Sequence, residues 1–252
     1  MITRSELTQY LDEFLNCRRY QDYAPNGLQV EGKEQIQRLC TAVTASDEVI
    51  SQAVAWQADA LLVHHGYFWR GEDPTIVGIK RQRISKLLNH NLNLFAYHLP
   101  LDCHIELGNN ACLAKLFAVN NVQMHKVDKV ENILWSGELN KEQSIAEFGQ
   151  FIEKQLGRTP QIISAQEKPI RRIAWCSGAA QDYLEQASRL GVDAYLSGEI
   201  SERTYYQAKE LGINYFCCGH HATERYGIQA LGKQLTSQFA LEHCYIESDN
   251  PI

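Results

Sequence analysis

Long apolar runs are missing from this sequence, and the absence excludes one class of protein. The uninterrupted apolar stretches are only a few residues long, well short of the ~20 that a membrane-spanning helix needs. No basic stretch followed by an apolar core opens the chain, so no secretory signal is predicted. Eight cysteines are dispersed over 252 residues without a CxxC pair, which argues against a disulfide scaffold and favours a reducing compartment. We therefore expect a cytoplasmic protein.

An excess of positive charge is also missing. The 24 basic side chains face 30 acidic ones, for a formal charge of −6. This balance argues against nucleic acid as a partner, although a local basic patch would not show in the net charge. The GxxxxGK[ST] loop that holds phosphates is absent. What remains is ordinary globular composition, 44% hydrophobic and 10% aromatic, in a chain long enough for one or two domains.

Short apolar strands alternate with amphipathic helices in both halves of the chain. The first half predicts strands near 39–45, 60–63 and 94–97, with helices near 47–57 and 79–91 between them. The second half predicts strands near 173–176, 194–196 and 215–218, a helix through Leu190 and another over 201–211. This alternation is typical of an α/β fold with covered, mostly parallel or mixed sheets. We expect two similar, interlocked α/β lobes, residues 1–126 and 127–252, with a metal site in the cleft between them.

The two halves share a local pattern. Gln52 and Ala53 precede Asp59 by seven and six residues, and Gln186 and Ala187 precede Asp193 by the same offsets. An asparagine then opens the following strand in each half, Asn93 and Asn214. The pattern indicates a duplicated α/β unit, or the chance similarity of two helix–strand units.

Three clusters of polar residues follow predicted strands, at the edge where open α/β sheets bind ligands. They are His64-His65-Gly66, then His98 to Asp102, then His220 to Glu224. Adjacent histidines on a regular strand point to opposite sides, so both serve one metal only in a turn, or beside two metals. His220 and Glu224 are four residues apart and lie together if they are helical. Imidazoles and carboxylates without a thiolate set favour Zn, Mn, Fe or Ni, and a bridging carboxylate suits a two-metal centre.

These clusters, in this order, resemble the NIF-three-like proteins, the family of GTP cyclohydrolase 1 type 2 homologues. The resemblance covers essentially the whole chain. This sequence departs from the family pattern at two positions: many members have proline where Gly66 stands, and tyrosine where His221 stands. The segments that carry it are 26–30, 64–66, 98–102, 106–110, 197–199 and 219–224.

The resemblance implies two divalent metal ions per chain and a toroidal homohexamer whose metal sites face the interior. The positions that match the family's ligands are His64, His65, Asp102, His220 and Glu224, with Glu224 as the bridging ligand. His98 and His104 are expected to handle protons rather than to ligate. By the duplication, Glu199 stands where His64 and His65 stand in the first half, and it is a weaker ligand candidate than the five. Arg225, next to Glu224, is the candidate anion contact.

We expect a metal-dependent hydrolase, in which two ions lower the pKa of water from 15.7 toward ~7 and clamp the electrophile. The family name suggests a nucleotide or purine-type ring as the substrate, a small molecule in either case. The alternative is a non-catalytic, metal-binding oligomeric scaffold or regulatory binding protein. Nucleophilic catalysis by Cys217 or Cys218 with His220 is disfavoured, because both cysteines fall in a predicted buried strand.

Overall fold

The computed structural model describes all residues from Met1 to Ile252. Nine α-helices occur in chain order: α1 Arg4–Phe14, α2 Asp47–Ala55, α3 Gly78–Asn89, α4 Leu99–Asp102, α5 Asn109–Leu116, α6 Ile145–Leu156, α7 Leu184–Ser188, α8 Glu202–Leu211 and α9 His220–Phe239. Thirteen strands are β1 Ile2–Thr3, β2 Gly27–Val30, β3 Gln35–Ile36, β4 Arg38–Thr44, β5 Ala60–His65, β6 Asn93–Ala96, β7 Asn120–Val127, β8 Val130–Gln143, β9 Gln161–Ile163, β10 Ile170–Trp175, β11 Ala194–Ser197, β12 Asn214–Cys217 and β13 Glu242–Tyr245. Short 3-10 turns cover Cys17–Arg19 and Gln181–Tyr183.

The chain divides into two compact units. Unit 1 comprises Met1–Leu101 and Gly227–Asp249, and unit 2 comprises Asp102–Tyr226 and Asn250–Ile252. This division differs from the single predicted boundary after residue 126. The chain passes from one unit to the other inside α4 and again inside α9, so neither unit is one continuous segment.

Unit 1 contains a five-stranded sheet in the order β13-β4-β5-β6-β2. The first four strands are parallel, and β2 pairs antiparallel with β6 at the edge. Both faces of the central strands are buried, which explains their continuous apolar sequences. Helices α2 and α3 pack their apolar sides on one face, and the buried side chains of that layer include Val49, Ile50, Ala53, Ile84 and Leu87.

Unit 2 contains a six-stranded mixed sheet in the order β7-β8-β10-β11-β12-β9. Strands β10, β11 and β12 are parallel, while the other pairings are antiparallel. Helix α6 packs Phe148 and Ile152 into the core beside Trp175 and Phe216. The helix predicted to run to Leu190 is shorter, since α7 ends at Ser188. The sheet is mixed, which is one of the two arrangements that the sequence predicted, mostly parallel or mixed.

Both units repeat one topology, so the α/β prediction of two similar lobes is confirmed. In each, three parallel strands run in chain order, and a strand from earlier in the chain, β2 in unit 1 and β9 in unit 2, pairs antiparallel with the third. The helix before that strand begins with a capping box in both cases, Thr3 with Glu6 at α1 and Ser144 with Glu147 at α6. No helix of the protein is long and apolar enough to span a membrane. The cytoplasmic location stays a prediction.

The repeated aspartate and asparagine have the same contacts in the two units. The carboxylate of Asp59 accepts the backbone N–H groups of Gln37 and Arg38, each at 2.9 Å. In unit 2, Asp193 accepts the two N–H groups at the equivalent place in β10, at 2.9 and 2.7 Å. Asn93 and Asn214 are fully buried. The side-chain oxygen of Asn93 accepts the N–H of Gly32, after β2, and that of Asn214 accepts the N–H groups of Ala165 and Gln166, after β9. Matching contacts at matching positions favour duplication over chance.

Candidate metal centre

Three histidines of unit 1 lie together at the carboxyl edge of its sheet. His64 and His65 are the last two residues of β5, and His98 follows β6, the parallel neighbour of β5. Their ligand atoms all lie within 4.8 Å of one another. Although His64 and His65 are adjacent on a strand, their ring centroids are only 4.6 Å apart. The end of the strand therefore gathers both imidazoles.

The hydrogen bonds of His64 and His65 orient their rings. His64 is fully buried, and its Nδ1 lies 2.9 Å from the carbonyl oxygen of Tyr97. A carbonyl only accepts, so Nδ1 carries the proton and Nε2 is the nitrogen suited to a metal. His65 Nδ1 lies 3.0 Å from the hydroxyl of Thr44, on the neighbouring strand β4. Metal-binding histidines are commonly fixed at their second nitrogen in this way.

His98 is held by a carboxylate that shows no motif in the sequence. Its Nδ1 lies 2.7 Å from Oδ1 of Asp22, whose side chain is 3% exposed. Burial raises the pKa of Asp22, but the hydrogen bond and charge of His98, together with the N–H donors around it, outweigh burial and hold the pKa below its ordinary value. Asp22 therefore stays ionised at neutral pH.

In unit 2, the first turn of α9 presents a histidine and a carboxylate. His220 and Glu224 are one turn apart, with Nε2 and Oε2 separated by 3.0 Å. Glu224 is 3% exposed. The other nitrogen of His220, Nδ1, donates to Oε1 of Glu199 at 2.6 Å. Glu199 therefore orients His220, a role that its place after β11 only hinted at.

The same two carboxylates change the acidity of His220. Burial lowers its pKa, but the hydrogen bonds and charges of Glu224 and Glu199 outweigh burial and raise the pKa to about 9. In the absence of a metal, both ring nitrogens of His220 are therefore protonated at neutral pH. A metal that binds at Nε2 must displace the proton on that atom, as is usual for histidine ligands.

Asp102 is held in a polar network of unit 2 and is 4% exposed. Its Oδ1 accepts the side-chain amide of Asn109 at 2.8 Å and the hydroxyl of Ser177 at 2.9 Å. Asn110 in turn accepts the N–H of Ser177 and donates to the carbonyl of Asp102. The segment 106–110 of the sequence motif therefore orients this carboxylate.

Two glycines give the first turn of α9 its space. A Cβ at Gly178 would lie 2.1 Å from Oε1 of Glu224 and 3.2 Å from Nε2 of His220, and its φ of +65° favours glycine. A Cβ at Gly198 would lie 2.7 Å from the Cα of His220. Sequence reasoning did not find Gly178, although it follows a strand end as the histidine clusters do.

The chemistry of these donor atoms fits a metal ion. The imidazole rings of His64, His98 and His220 are fixed at Nδ1 by oxygen atoms, and the buried carboxylate of Asp102 is held by N–H and O–H donors. These are the second contacts that metal ligands require in proteins. The clusters of histidine, aspartate and glutamate could therefore bind a metal, as the sequence predicted. The five predicted ligands and their division between two ions stay a prediction.

A family model described as DUF34/NIF3 (NGG1p interacting factor 3) matches residues 2–251. The chain belongs to this family. A protein of Allochromatium vinosum named GTP cyclohydrolase 1 type 2 homolog is 49% identical over 246 residues, covering 98% of this chain and 96% of its own. A protein of the same name from Pseudomonas aeruginosa is 48% identical, covering 99% of each chain. The solved structure of protein ybgI, described as of unknown function, is 44% identical with a TM-score of 0.95 over the whole of both chains.

Two other residues that the sequence suggested for the site, His104 and Arg225, lie outside these groups. His104 accepts the N–H groups of Glu106 and Leu107 at its Nδ1 and belongs to no cluster that could hold a metal. Its catalytic role stays a prediction. Arg225 donates to the carbonyl of Leu156 and to the hydroxyl of Tyr226, so it holds the loop after α6. These contacts explain Arg225 without an anion.

Three further histidines and the paired cysteines lie outside the candidate site. His125 bonds Ser136, His243 bonds Thr41, and His90 is exposed. Cys217 and Cys218 are buried, and burial raises the pKa of both thiols. A raised pKa keeps them as thiols, which disfavours a cysteine nucleophile in this DUF34/NIF3 chain.

Proposed function

We propose that the protein is a dinuclear metal-dependent hydrolase. The observation that carries the proposal is the hydrogen bonding of two histidines at Nδ1. His64 donates a hydrogen bond from Nδ1 to the Tyr97 carbonyl, and His220 donates one from Nδ1 to the Glu199 carboxylate. Both oxygens can only accept. This arrangement selects Nε2 as the coordinating atom before any metal arrives.

The proposed ligands of the two ions are His64, His65, Asp102, His220 and Glu224, with Glu224 shared. Imidazole nitrogens and carboxylate oxygens suit Zn, Mn, Fe or Ni. When bound, two such ions supply Lewis acidity and lower the pKa of water toward ~7. The role of the protein is to orient the ligands. Asn109 and Ser177 hold Asp102 by hydrogen bonds, and Glu199 holds His220. Five ligands for two ions leave coordination positions for a substrate, which supports catalysis over a closed structural site.

The proposed substrate is a nucleotide or another purine-type ring. The support is the name of the relatives, GTP cyclohydrolase 1 type 2 homolog, which are 45–49% identical over nearly the whole chain. Elemental analysis followed by a screen over nucleotides, phosphoesters and cyclic amides tests this proposal. We expect two metal ions per chain, and hydrolysis of one class that chelation abolishes and metal restores. Turnover that survives complete metal removal contradicts the proposal, and bound metal without turnover of any class supports a scaffold instead.

Replacing His64 by glutamine is expected to lower metal affinity at least about tenfold, because one imidazole ligand is lost. Titration with Zn²⁺ or Mn²⁺ measures the affinity, and thermal unfolding checks that the variant is folded. The matched control is His90→Gln, since His90 is an exposed histidine of the same unit. Equal affinities of the two variants would remove His64 from the ligand set.

We also propose that the chain assembles into a homohexamer. The support is the family resemblance, together with the exposed apolar side chains Val122 and Met124 of β7 at a sheet edge. Light scattering on the metal-loaded protein is expected to give about six times the chain mass of 28.7 kDa. A monomeric mass at micromolar concentration would contradict this proposal.

A further inference from the structure

We propose that Asp22 is a positioning residue that fixes His98 in the Nδ1–H tautomer, so that Nε2 of His98 is the acceptor atom within the histidine group. The inference rests on the proposed function, because His98 lies in the same group as the proposed ligands His64 and His65. It adds a residue, Asp22, and a defined chemical state. Each step is drawn from contacts inside unit 1.

The surroundings of Asp22 contain only donors. Its Oδ1 lies 2.7 Å from His98 Nδ1 and 2.6 Å from the N–H of Tyr23. Its Oδ2 accepts the N–H of Leu99 at 2.9 Å and the side-chain amide of Asn26 at 2.8 Å. An ionised carboxylate accepts at both oxygens and donates at neither. The proton in the bond to His98 must therefore belong to the imidazole.

The orientation of Asn26 is fixed independently. Its Oδ1 accepts the backbone N–H of His98 at 2.7 Å, so its nitrogen is the atom that faces Asp22. Asp22 and Asn26 thus bind the backbone N–H groups of residues 98 and 99 as well as the imidazole. This network places His98 where β6 ends.

The ring of His98 is also confined by aromatic neighbours. Trp69 meets it edge-on at 5.0 Å between centroids, and Tyr23 lies at 6.2 Å on another side. The rings of His64 and His65 lie 5.1 and 5.9 Å away. Each of these three histidines offers one ring nitrogen within 4.8 Å of the others. Because Nδ1 of His98 is bonded to Asp22, we infer that Nε2 is the atom that His98 offers to this group.

The substitution Asp22→Asn distinguishes positioning from packing, because it keeps the shape and changes one acceptor into a donor. At the place of Oδ2 the new NH₂ group would face two donors, Leu99 N–H and Asn26. At the place of Oδ1 it would face one fixed donor, the N–H of Tyr23, and His98 Nδ1, which can accept once it loses its proton. The variant therefore favours the tautomer of His98 with its proton on Nε2, as happens when an aspartate that orients a histidine becomes asparagine.

The test is a long-range ¹H–¹⁵N spectrum of metal-free protein labelled at histidine nitrogen. His98→Gln identifies the signals of His98, and a pH series locates the alkaline plateau where the ring is neutral. We expect the Nδ1–H form in the native chain. In Asp22→Asn we expect the ratio of Nδ1–H to Nε2–H to fall at least about tenfold, because a hydrogen bond to a charged group is lost and its polarity reversed.

The matched control is Asp59→Asn, another carboxylate of unit 1 that accepts two backbone N–H groups. It is expected to lower stability without changing the tautomer of His98. An Nε2–H form in the native chain, or an unchanged ratio in Asp22→Asn, overturns the proposal. The native spectrum decides by itself if the variant fails to fold. No turnover is measured, so failure of the hydrolase proposal gives a separate result.

Discussion

Alanine at Gly178 is expected to destabilise unit 2 and to remove its metal-binding group at once. The left-handed backbone and the overlap with Glu224 together cost about 2–5 kcal/mol of unfolding free energy. Relief of the overlap requires Glu224 or His220 to move, because a Cβ would lie 2.1 Å from the carboxylate oxygen and 3.2 Å from the imidazole nitrogen. Denaturant unfolding measures the first effect, and metal titration measures the second.

Gly212→Ala separates the two causes. Gly212 has nearly the same φ, +67°, but no atom lies within 4 Å of an added Cβ. It should therefore cost only the backbone term, about 1–2 kcal/mol, and leave metal affinity as it is. If Gly178→Ala matches Gly212→Ala in both measurements, the first turn of α9 does not depend on the space at Gly178.

The variant Asp102→Asn is expected to lower metal affinity by about 100-fold or more, while the metal-free protein keeps or gains stability. A charged ligand is lost from a nearly dry position, where its attraction to a cation is strong. The amide can keep its oxygen toward Asn109 and Ser177, so the network survives. Without a metal, the native carboxylate bears a burial cost that the amide avoids.

Thermal unfolding with and without Zn²⁺ or Mn²⁺ shows both effects. A metal at 100 times its Kd stabilises the native protein by about 2.7 kcal/mol, and this shift should vanish in Asp102→Asn. The control is Asp182→Asn, an exposed aspartate of unit 2 that pairs with Arg203. A full metal-induced shift in Asp102→Asn would exclude Asp102 as a ligand.

The strand ends that carry the histidines could be predicted from the sequence for a physical reason. Buried parallel strands have continuous apolar sequences, so a polar cluster directly after one marks the edge of a sheet. The first turn of α9 was also predictable, since His220 and Glu224 have helical spacing before an apolar helix. The family that these motifs resemble is confirmed by the family model that matches residues 2–251.

The residues that orient the ligands could not be predicted in this way. Asp22 is 76 residues from His98 in sequence, and Ser177 is 75 residues from Asp102. Such contacts depend on which strand ends become neighbours, and local periodicity carries no information on that. The discontinuous units were missed for the same reason, because a continuous helix such as α9 gives no signal of the change from unit 2 to unit 1.

The pairing of β13 with β4 sets an order for events on the ribosome. Glu242 pairs with Arg38 and Tyr245 with Thr41. During synthesis, β4 therefore lacks this neighbouring strand until about 200 more residues have been added. Until then the nascent chain presents one open sheet edge, while unit 2 emerges almost whole. Cotranslational folding should therefore complete unit 2 before unit 1, whose sheet gains its last strand only when β13 has been made.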